Sequence, residues 1–522
     1  RQRQMCIRDS TLTAEPSRFT TAVDKIVLNR FLGLPIFLFV MYLMFLLAIN
    51  IGGALQPLFD VGSVALFVHG IQWIGYTLHF PDWLTIFLAQ GLGGGINTVL
   101  PLVPQIGMMY LFLSFLEDSG YMARAAFVMD RLMQALGLPG KSFVPLIVGF
   151  GCNVPSVMGA RTLDAPRERL MTIMMAPFMS CGARLAIFAV FAAAFFGQNG
   201  ALAVFSLYML GIVMAVLTGL MLKYTIMRGE ATPFVMELPV YHVPHVKSLI
   251  IQTWQRLKGF VLRAGKVIII VSIFLSAFNS FSLSGKIVDN INDSALASVS
   301  RVITPVFKPI GVHEDNWQAT VGLFTGAMAK EVVVGTLNTL YTAENIQDEE
   351  FNPAEFNLGE ELFSAVDETW QSLKDTFSLS VLMNPIEASK GDGEMGTGAM
   401  GVMDQKFGSA AAAYSYLIFV LLYVPCISVM GAIARESSRG WMGFSILWGL
   451  NIAYSLATLF YQVASYSQHP TYSLVCILAV ILFNIVVIGL LRRARSRVNI
   501  ELLATRKSVS SCCAASTTGD CH

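Results

Sequence analysis

Long apolar runs separated by short polar segments dominate the chain. Eight of these runs are long enough for a membrane-spanning helix, which needs about 20 mostly apolar residues. The pattern therefore predicts an all-α polytopic membrane protein with about eight transmembrane helices. We place the predicted spans at 32–51, 97–117, 172–196, 201–222, 262–283, 411–434, 442–465 and 472–491.

Two further apolar stretches, 142–160 and 318–341, are interrupted by Gly and Pro or by charged residues. Proline inside a helix removes one N–H donor and frees a carbonyl group. Inside a membrane, such backbone is tolerated only where it is buried in protein or lines a cavity. We therefore expect two re-entrant elements, of the kind that often form a transporter's substrate site.

Composition supports a membrane protein and excludes several other classes. The 522 residues are 55% hydrophobic and 13% charged, with a mean hydropathy of +0.61. A soluble domain typically carries about 25% charged residues. With 35 Lys and Arg against 34 Asp and Glu, the net charge is +1, so no overall field attracts nucleic acid. A soluble enzyme, a disordered chain and a nucleic-acid binder are therefore excluded.

The distribution of charge between the spans predicts the orientation, because cytoplasmic loops are enriched in Lys and Arg. The segment 223–266 holds seven basic residues against two acidic ones, and 492–497 holds four arginines. The segment 342–409 holds fourteen acidic residues against three basic ones. Eight spans with both termini in the cytoplasm place the basic segments inside and the acidic loop 342–409 in the periplasm.

Three cysteines, Cys152, Cys181 and Cys426, each lie close to a proline within an apolar segment. A cation that crosses a bilayer must exchange water for protein ligands, and sulfur donors favour Fe, Cu or Zn over Na or Mg. A buried cysteine can equally be a small hydrophobic residue that only packs. The candidate ligands and their supporting prolines are Cys152, Asn153, Ser180, Cys181, Cys426, Ser428, Pro155, Pro177 and Pro425.

Charged residues in apolar segments are costly and are usually functional. Arg184 lies one helical turn after Cys181, and Lys330 and Glu331 interrupt the run 318–341. We expect Arg184 and Lys330 to support or gate the pathway and Glu331 to contact the metal. The tail offers a second candidate metal site through soft ligands. Its donors are Cys512, Cys513, Cys521 and His522.

The ends of the chain have a different character from the rest. Residues 1–10, RQRQMCIRDS, resemble a translated sequencing adaptor, so we expect them to be non-native and the natural protein to begin further upstream. Residues 11–30 are then a cytosolic linker, and 492–522 form a basic, cysteine-rich cytosolic tail.

Several long strings resemble the membrane domain of the FeoB family of bacterial ferrous iron transporters. The resemblance runs from about residue 20 to the C-terminus, whose last residues are similar to gammaproteobacterial members. The matching strings include GGGINTVLPLVPQI (93–106), FLEDSGYMARAAFVMDR (115–131), VGFGCNVPSVMGARTL (148–163), APFMSCGARLAIF (176–188), FTGAMAKEVVVGTL (324–337) and YVPCISVMGAIARE (423–436).

The resemblance implies a multi-pass protein of the bacterial inner membrane that imports Fe²⁺ as its substrate. It implies two Gate regions, in 31–260 and 261–491, with Cys152 and Cys181 contacting iron and Cys426 in a later cysteine motif. The family carries an N-terminal GTPase and a helical spacer, so GTP and Mg²⁺ are expected only through that absent part. Expected partners are the lipid bilayer, that GTPase domain, FeoA and FeoC type proteins, and a second copy in a homo-oligomer.

Two other functions are compatible with the sequence. One is a nucleoside or organic-solute transporter, since Gate-type regions resemble parts of nucleoside transporters. The other is a membrane iron sensor or scaffold that does not move the metal. No catalytic residue is predicted in this chain, which we expect not to be an enzyme.

Overall fold

The structure is a computed structural model in which all regular elements of the described residues are helices. It describes residues 18–29, 32–81, 84–85, 87–227, 241–242, 244–266, 269–270, 272–274, 278, 294–328, 333, 336–337, 340–341, 357–376, 397–467 and 469–494. The predicted all-α membrane architecture is therefore confirmed.

The first half of the chain contains long apolar helices together with short helices of one or two turns. In chain order they are α1 (Arg18–Val27), α2 (Gly33–Ala54), α3 (Gln56–Ser63), α4 (Gly70–Thr77), α5 (Gly94–Val99), α6 (Leu102–Asp118), α7 (Tyr121–Leu136), α8 (Phe143–Val148), α9 (Asn153–Gly159), α10 (Pro166–Met175), α11 (Gly182–Phe195), α12 (Gly200–Thr225) and α13 (Val246–Phe260).

The second half repeats this mixture and ends in two uninterrupted long helices. Its helices are α14 (Ala295–Ile303), α15 (Trp317–Met328), α16 (Leu358–Thr376), α17 (Thr397–Phe407), α18 (Ala410–Leu422), α19 (Ile427–Glu436), α20 (Arg439–Ala464) and α21 (Pro470–Ala494).

Seven helical stretches in the described part of the chain are long and apolar enough to cross a membrane. They correspond to seven of the eight predicted spans. Half of the eighth predicted span, 262–283, lies outside the described residues, and so do Lys330 and Glu331 in the second interrupted stretch. The seven stretches are Pro35–Thr77, Phe87–Asp118, Pro166–Phe195, Gly200–Thr225, Ala410–Glu436, Arg439–Ala464 and Pro470–Arg493.

The first two stretches are longer than the sequence predicted. The first continues past 51 through α3, a π-helix at Val64–His69 and α4. The second begins at a π-helix, Phe87–Gly93, so the glycine-rich segment is wound into a helix before the turn at Pro101. A Cβ atom on Gly93 would overlap the carbonyl oxygen of Phe67, so this glycine lets the two π-helices approach closely.

A buried arginine fixes the N-terminal helix against the bundle. Arg124 of α7 is fully buried, and its Nε and Nη2 donate to the two carboxylate oxygens of Asp24 at 3.0 and 3.3 Å. Its guanidinium also lies over the Tyr241 ring, 4.1 Å from the centroid. Because a buried charge is costly unless it is paired, α1 is held at the start of α7, next to the end of α6.

The turn at Gly311 shows how tightly the second half is packed. Gly311 adopts φ +94° at the end of a 3₁₀-helix, Thr304–Ile310. A Cβ atom there would lie 2.5 Å from the Tyr461 ring and 3.0 Å from the Ala412 Cβ.

We predict that Gly311→Ala lowers the free energy of unfolding by about 2 kcal/mol or more, because it adds both backbone strain and a clash. Gly443→Ala is the control, since a Cβ atom at Gly443 meets nothing within 4 Å. Alanine there stabilises α20 by about 1 kcal/mol at most. Unfolding midpoints of the two variants in detergent test this, and equal midpoints would contradict it.

Candidate functional site

The three predicted cysteines occupy the same kind of backbone position. Each has an extended conformation and is the residue immediately before a helix. Cys152 (φ −152°, ψ 132°) precedes α9, Cys181 (φ −81°, ψ 164°) precedes α11, and Cys426 (φ −59°, ψ 156°) precedes α19. Each cysteine therefore marks the point at which an apolar helix is interrupted and begins again.

The first interruption separates α8 from α9. After Val148 the chain turns, and the N–H groups of Gly151 and Cys152 both donate to the Val148 carbonyl at 3.0 Å. A Cβ atom on Gly151 would lie 2.5 Å from the Phe45 ring and 3.0 Å from the Met109 sulfur. The glycine therefore lets the turn pass directly against α2 and α6.

The second interruption, between α10 and α11, is hydrogen-bonded to the first. The N–H of Gly182 donates to the Gly151 carbonyl at 3.3 Å, and Nδ2 of Asn153 donates to the Met179 carbonyl at 3.3 Å. These bonds satisfy backbone groups that the interrupted helices leave without intrahelical partners. They also hold Cys152 and Cys181 in a fixed relation to each other.

Arg184 completes this connection from the first turn of α11. Its side chain is fully buried, and Nη1 donates to the carbonyls of Pro177 and Met179 at 3.1 and 3.0 Å. Its Nε and Nη2 have no hydrogen-bond partner among the described residues. Together with the N-termini of α11 and α19, this guanidinium makes the region electropositive.

The third interruption lies between α18 and α19. The Tyr423 hydroxyl donates to the Leu323 carbonyl at 3.2 Å, which ties this break to α15. Gly449 of α20 lies against it, since a Cβ atom there would be 3.0 Å from the Tyr423 carbonyl oxygen. Pro425 directly precedes Cys426, so the proline and the cysteine share this extended segment.

All three cysteines line one cavity of about 90 Å³. Among the described residues no three Cys, His, Asp or Glu side chains are close enough to hold one ion together. Cysteines from three separate segments thus line this space, which we call the thiol cavity. It is lined by Phe45, Ala48, Leu102, Gln105, Ile106, Met109, Gly151, Cys152, Asn153, Cys181, Gly182, Ala183, Cys426 and Val429.

The other predicted residues fall into three groups. Asn153 lines the cavity, is 4% exposed, and its Oδ1 has no hydrogen-bond partner in the described structure. Ser180 is buried but is not part of the lining, and Ser428 lines a second cavity. Pro155 lies in the first turn of α9, and Pro177 in the 3₁₀ turn before Cys181. The remaining candidates lie outside the described residues: Lys330, Glu331, Cys512, Cys513, Cys521 and His522.

Several cavity residues were missed by the sequence analysis. Phe45 of α2 and Gln105 and Met109 of α6 also line the cavity, although none of them was predicted as a site residue. An apolar span does not indicate which of its faces a side chain presents, and for Gln105 the string 93–106 marks a resemblance without marking a site. Glu436 was also missed, although it pairs with both Arg161 and Arg169. A lone carboxylate at the end of an apolar helix is the signal that could have identified it.

We predict that Arg184→Met lowers the free energy of unfolding by about 2 to 3 kcal/mol, because it removes two charge-assisted hydrogen bonds to backbone carbonyls. Arg256→Met is the matched control, since Arg256 makes a partly exposed pair with Glu117 at 2.7 Å. That pair contributes about 1 kcal/mol or less. Chemical unfolding of both variants in detergent is the measurement, and an equal loss in both would rule out a special role for Arg184.

Comparisons with known proteins agree with this architecture. The family model described as "Gate: Nucleoside recognition" matches residues 99–195 and 261–439, and "Ferrous iron transport protein B C terminus" matches 204–256. Cys152 and Cys181 fall in the first Gate segment and Cys426 in the second.

Several curated relatives are similar to nearly the whole chain. The Fe(2+) transporter FeoB of Escherichia coli (strain K12) is 99% identical over 513 residues, covering 98% of this chain and 66% of the relative. The Salmonella typhimurium protein is 94% identical over the same shares, and the Legionella pneumophila protein is 50% identical over 91% of this chain and 63% of its own length. No solved structure matches significantly. The chain spans about two thirds of these relatives' length, and it belongs to the FeoB family, of which it comprises the membrane region with its Gate segments.

Proposed function

We propose that this chain forms the passage by which Fe²⁺ crosses the bacterial inner membrane. The observation that carries the proposal is the thiol cavity, which is lined by cysteines from three interrupted helices. The names of the relatives, Fe(2+) transporter FeoB, support the choice of metal.

The chemistry of the cavity suits an ion that must bind and then leave. Thiolate sulfur and the unpartnered Oδ1 of Asn153 replace part of the water shell of the ion. Because the donors do not form a closed cage, binding stays weak enough for release, as conduction requires. We therefore assign Cys152, Cys181, Cys426 and Asn153 as the transient ligands.

The direction of movement follows from the charge of the flanking segments. We propose that Fe²⁺ approaches from the side of the acidic segment 342–409 and leaves toward the basic side, with both termini in the cytoplasm. The described part of the basic side includes Arg161, Arg167 and Arg169, between α9 and the start of α10.

Other properties of the family extend the proposal to the whole protein. This chain supplies the passage, and we assign GTP and Mg²⁺ chemistry to a part of the family protein outside the matched region. We further propose regulation by GTP, association with FeoA and FeoC type proteins, and assembly into a homo-oligomer within the bilayer. The chain covers only 66% of the length of the Escherichia coli relative, which is consistent with the GTP chemistry belonging to the part that the chain does not match.

The description of the Gate model favours a nucleoside or organic-solute transporter as the second candidate function. The size of the thiol cavity opposes it. About 90 Å³ holds a few waters or a partly hydrated ion, whereas pockets for organic ligands typically measure about 300 to 1,000 Å³. An iron sensor or scaffold would have the same cavity without net transport.

We predict that the double variant Cys152→Ser, Cys181→Ser reduces Fe²⁺ uptake into sealed vesicles by about tenfold or more, since even outer-shell changes at metal sites cost about 10- to 100-fold. Cys476→Ser is the matched control, because Cys476 lies on α21 and is not part of the cavity lining. Initial rates with labelled Fe²⁺ are the readout. Undiminished uptake in the double variant would refute the ligand assignment.

The same vesicles distinguish the candidate functions. Uptake of Fe²⁺ with no uptake of a labelled nucleoside supports the passage, and the reverse supports the solute transporter. Binding of Fe²⁺ without uptake supports a sensor. Mn²⁺ and Zn²⁺ are compared in parallel, because intrinsic affinity alone favours Zn²⁺ over Fe²⁺ at an equal site.

A further inference from the structure

A second cluster of charged side chains lies away from the thiol cavity. Arg161 Nε donates to Glu436 Oε2 at 2.6 Å, and its Nη2 bonds the other carboxylate oxygen. Arg169 Nη2 donates to Glu436 Oε2 at 2.8 Å. The Glu436 side chain is 3% exposed, whereas the Arg161 and Arg169 side chains are 50% and 33% exposed. We call these three residues the Arg–Glu triad.

The Arg–Glu triad joins the two Gate segments. Arg161 lies in the 3₁₀ turn Ala160–Thr162 after α9, and Arg169 lies near the start of α10. Both belong to the segment 99–195, whereas Glu436, the last residue of α19, belongs to 261–439. The bonds therefore hold together parts of the chain that are separated by 275 and 267 residues.

The two short helices between the thiol cavity and the triad are arranged alike. α9 and α19 pack against each other, and each begins immediately after a cavity cysteine. α19 ends at Glu436, and α9 leads directly into the turn that carries Arg161. At 1.5 Å per residue, these helices span about 10 and 15 Å. The triad is thus about one short helix away from the cysteines.

A second cavity, of about 160 Å³, runs beside this helix pair. The thiol cavity is lined by Asn153 of α9 and Val429 of α19. The second cavity is also lined by both helices, and it reaches Glu436 at the end of α19. The two cavities therefore lie against the same helix pair, and the second one extends to the triad. The second cavity is lined by Val154, Met158, Gly259, Phe260, Ile427, Ser428, Gly431, Ala432, Arg435 and Glu436.

The charges of the triad determine what it does to a cation. With both arginines bound, the Glu436 carboxylate is neutralised and offers little to an ion, and the guanidinium groups repel it. The hydrogen bonding that Arg161 donates to the Glu436 carboxylate raises the pKa of Arg161 above its usual range, so this guanidinium stays charged. When the bonds part, the same carboxylate becomes an anionic ligand at the end of the second cavity.

We propose that the Arg–Glu triad is a closed gate at the exit of the cation passage, and that separating α19 from the turn after α9 opens it. This inference rests on the proposed function, because a gate requires a transported ion. Opening connects the second cavity with the face that carries Arg161 and exposes Glu436 as the last ligand for the departing cation. Glu436 therefore closes the gate while it is paired and binds the cation once it is released.

Access to the cavity thiols tests the gate without any iron. The full chain is used with its other cysteines, Cys6, Cys476, Cys512, Cys513 and Cys521, replaced by serine. After reconstitution in vesicles, a membrane-impermeant maleimide is applied to one face at a time, and the initial rate of thiol labelling is measured. Glu436→Gln raises the rate about tenfold from the triad's face only, because it loses charge-assisted hydrogen bonds.

Asp164→Asn is the matched control. Asp164 lies between α9 and α10, and its carboxylate also pairs with a basic residue, Lys141 at 3.5 Å, but it is 91% exposed and is not part of the triad. Labelling of this variant stays at the parental rate. If the control labels as fast as Glu436→Gln, the effect is general loosening and the gate is refuted.

A charge exchange keeps the test valid if Glu436→Gln folds poorly. Arg161→Glu alone places two carboxylates together and raises labelling, whereas Arg161→Glu with Glu436→Arg restores an opposite-charge pair and returns the rate to within about twofold of the parent. Rescue by the exchange supports a gate made of these charges. Labelling that remains slow in folded Arg161→Glu, or that rises equally from both faces, overturns the proposal.

Fe²⁺ uptake is measured separately on the cysteine variants. If Glu436→Gln labels faster and the cysteine variants take up Fe²⁺ normally, the cysteines are not the iron ligands. The gate is then supported, but for a cation other than Fe²⁺. Lost uptake in the cysteine variants with unchanged labelling of Glu436→Gln supports the iron passage and refutes the gate.

Discussion

A backbone that is interrupted inside a membrane must find partners for its free N–H and C=O groups within the protein, and this constraint organises the site. The first two interruptions supply hydrogen-bond partners to each other. The Gly182 N–H donates to the Gly151 carbonyl, and the Asn153 side-chain amide donates to the Met179 carbonyl. Arg184 supplies two further donors. The bonds that make the breaks tolerable therefore also place Cys152 and Cys181 on one cavity.

The position of the cysteines at the starts of helices links the proposed metal binding to movement of those helices. Each cysteine is the residue before a helix, so a small rotation of α9 or α19 changes the sulfur positions at one end and the Arg–Glu triad at the other. The buried guanidinium of Arg184 and the helix N-termini oppose a bare cation, and the thiols compensate for them. In the proposed passage, a site balanced in this way binds an ion transiently, which suits transport better than a permanent metal centre does.

The sequence predicted the helices well because a membrane span requires a long apolar run. It missed the extension of the first span through 56–77, where Gln56, Pro57 and Asp60 interrupt the apolar pattern. The cysteines were identified because proline beside cysteine in an apolar segment is unusual. Gln105, Met109 and the pairing of Glu436 with Arg161 depend on tertiary contacts, which a single sequence does not encode in any local pattern.

We propose that the cysteines of the thiol cavity bind the cation directly. X-ray absorption at the iron edge tests it most directly, on the chain loaded anaerobically with Fe²⁺ and with Cys6, Cys476, Cys512, Cys513 and Cys521 replaced by serine. Direct binding gives sulfur in the first coordination shell of the iron, and this sulfur is lost when Cys152, Cys181 and Cys426 are also replaced. A first shell of oxygen and nitrogen alone, identical in both proteins, would contradict it.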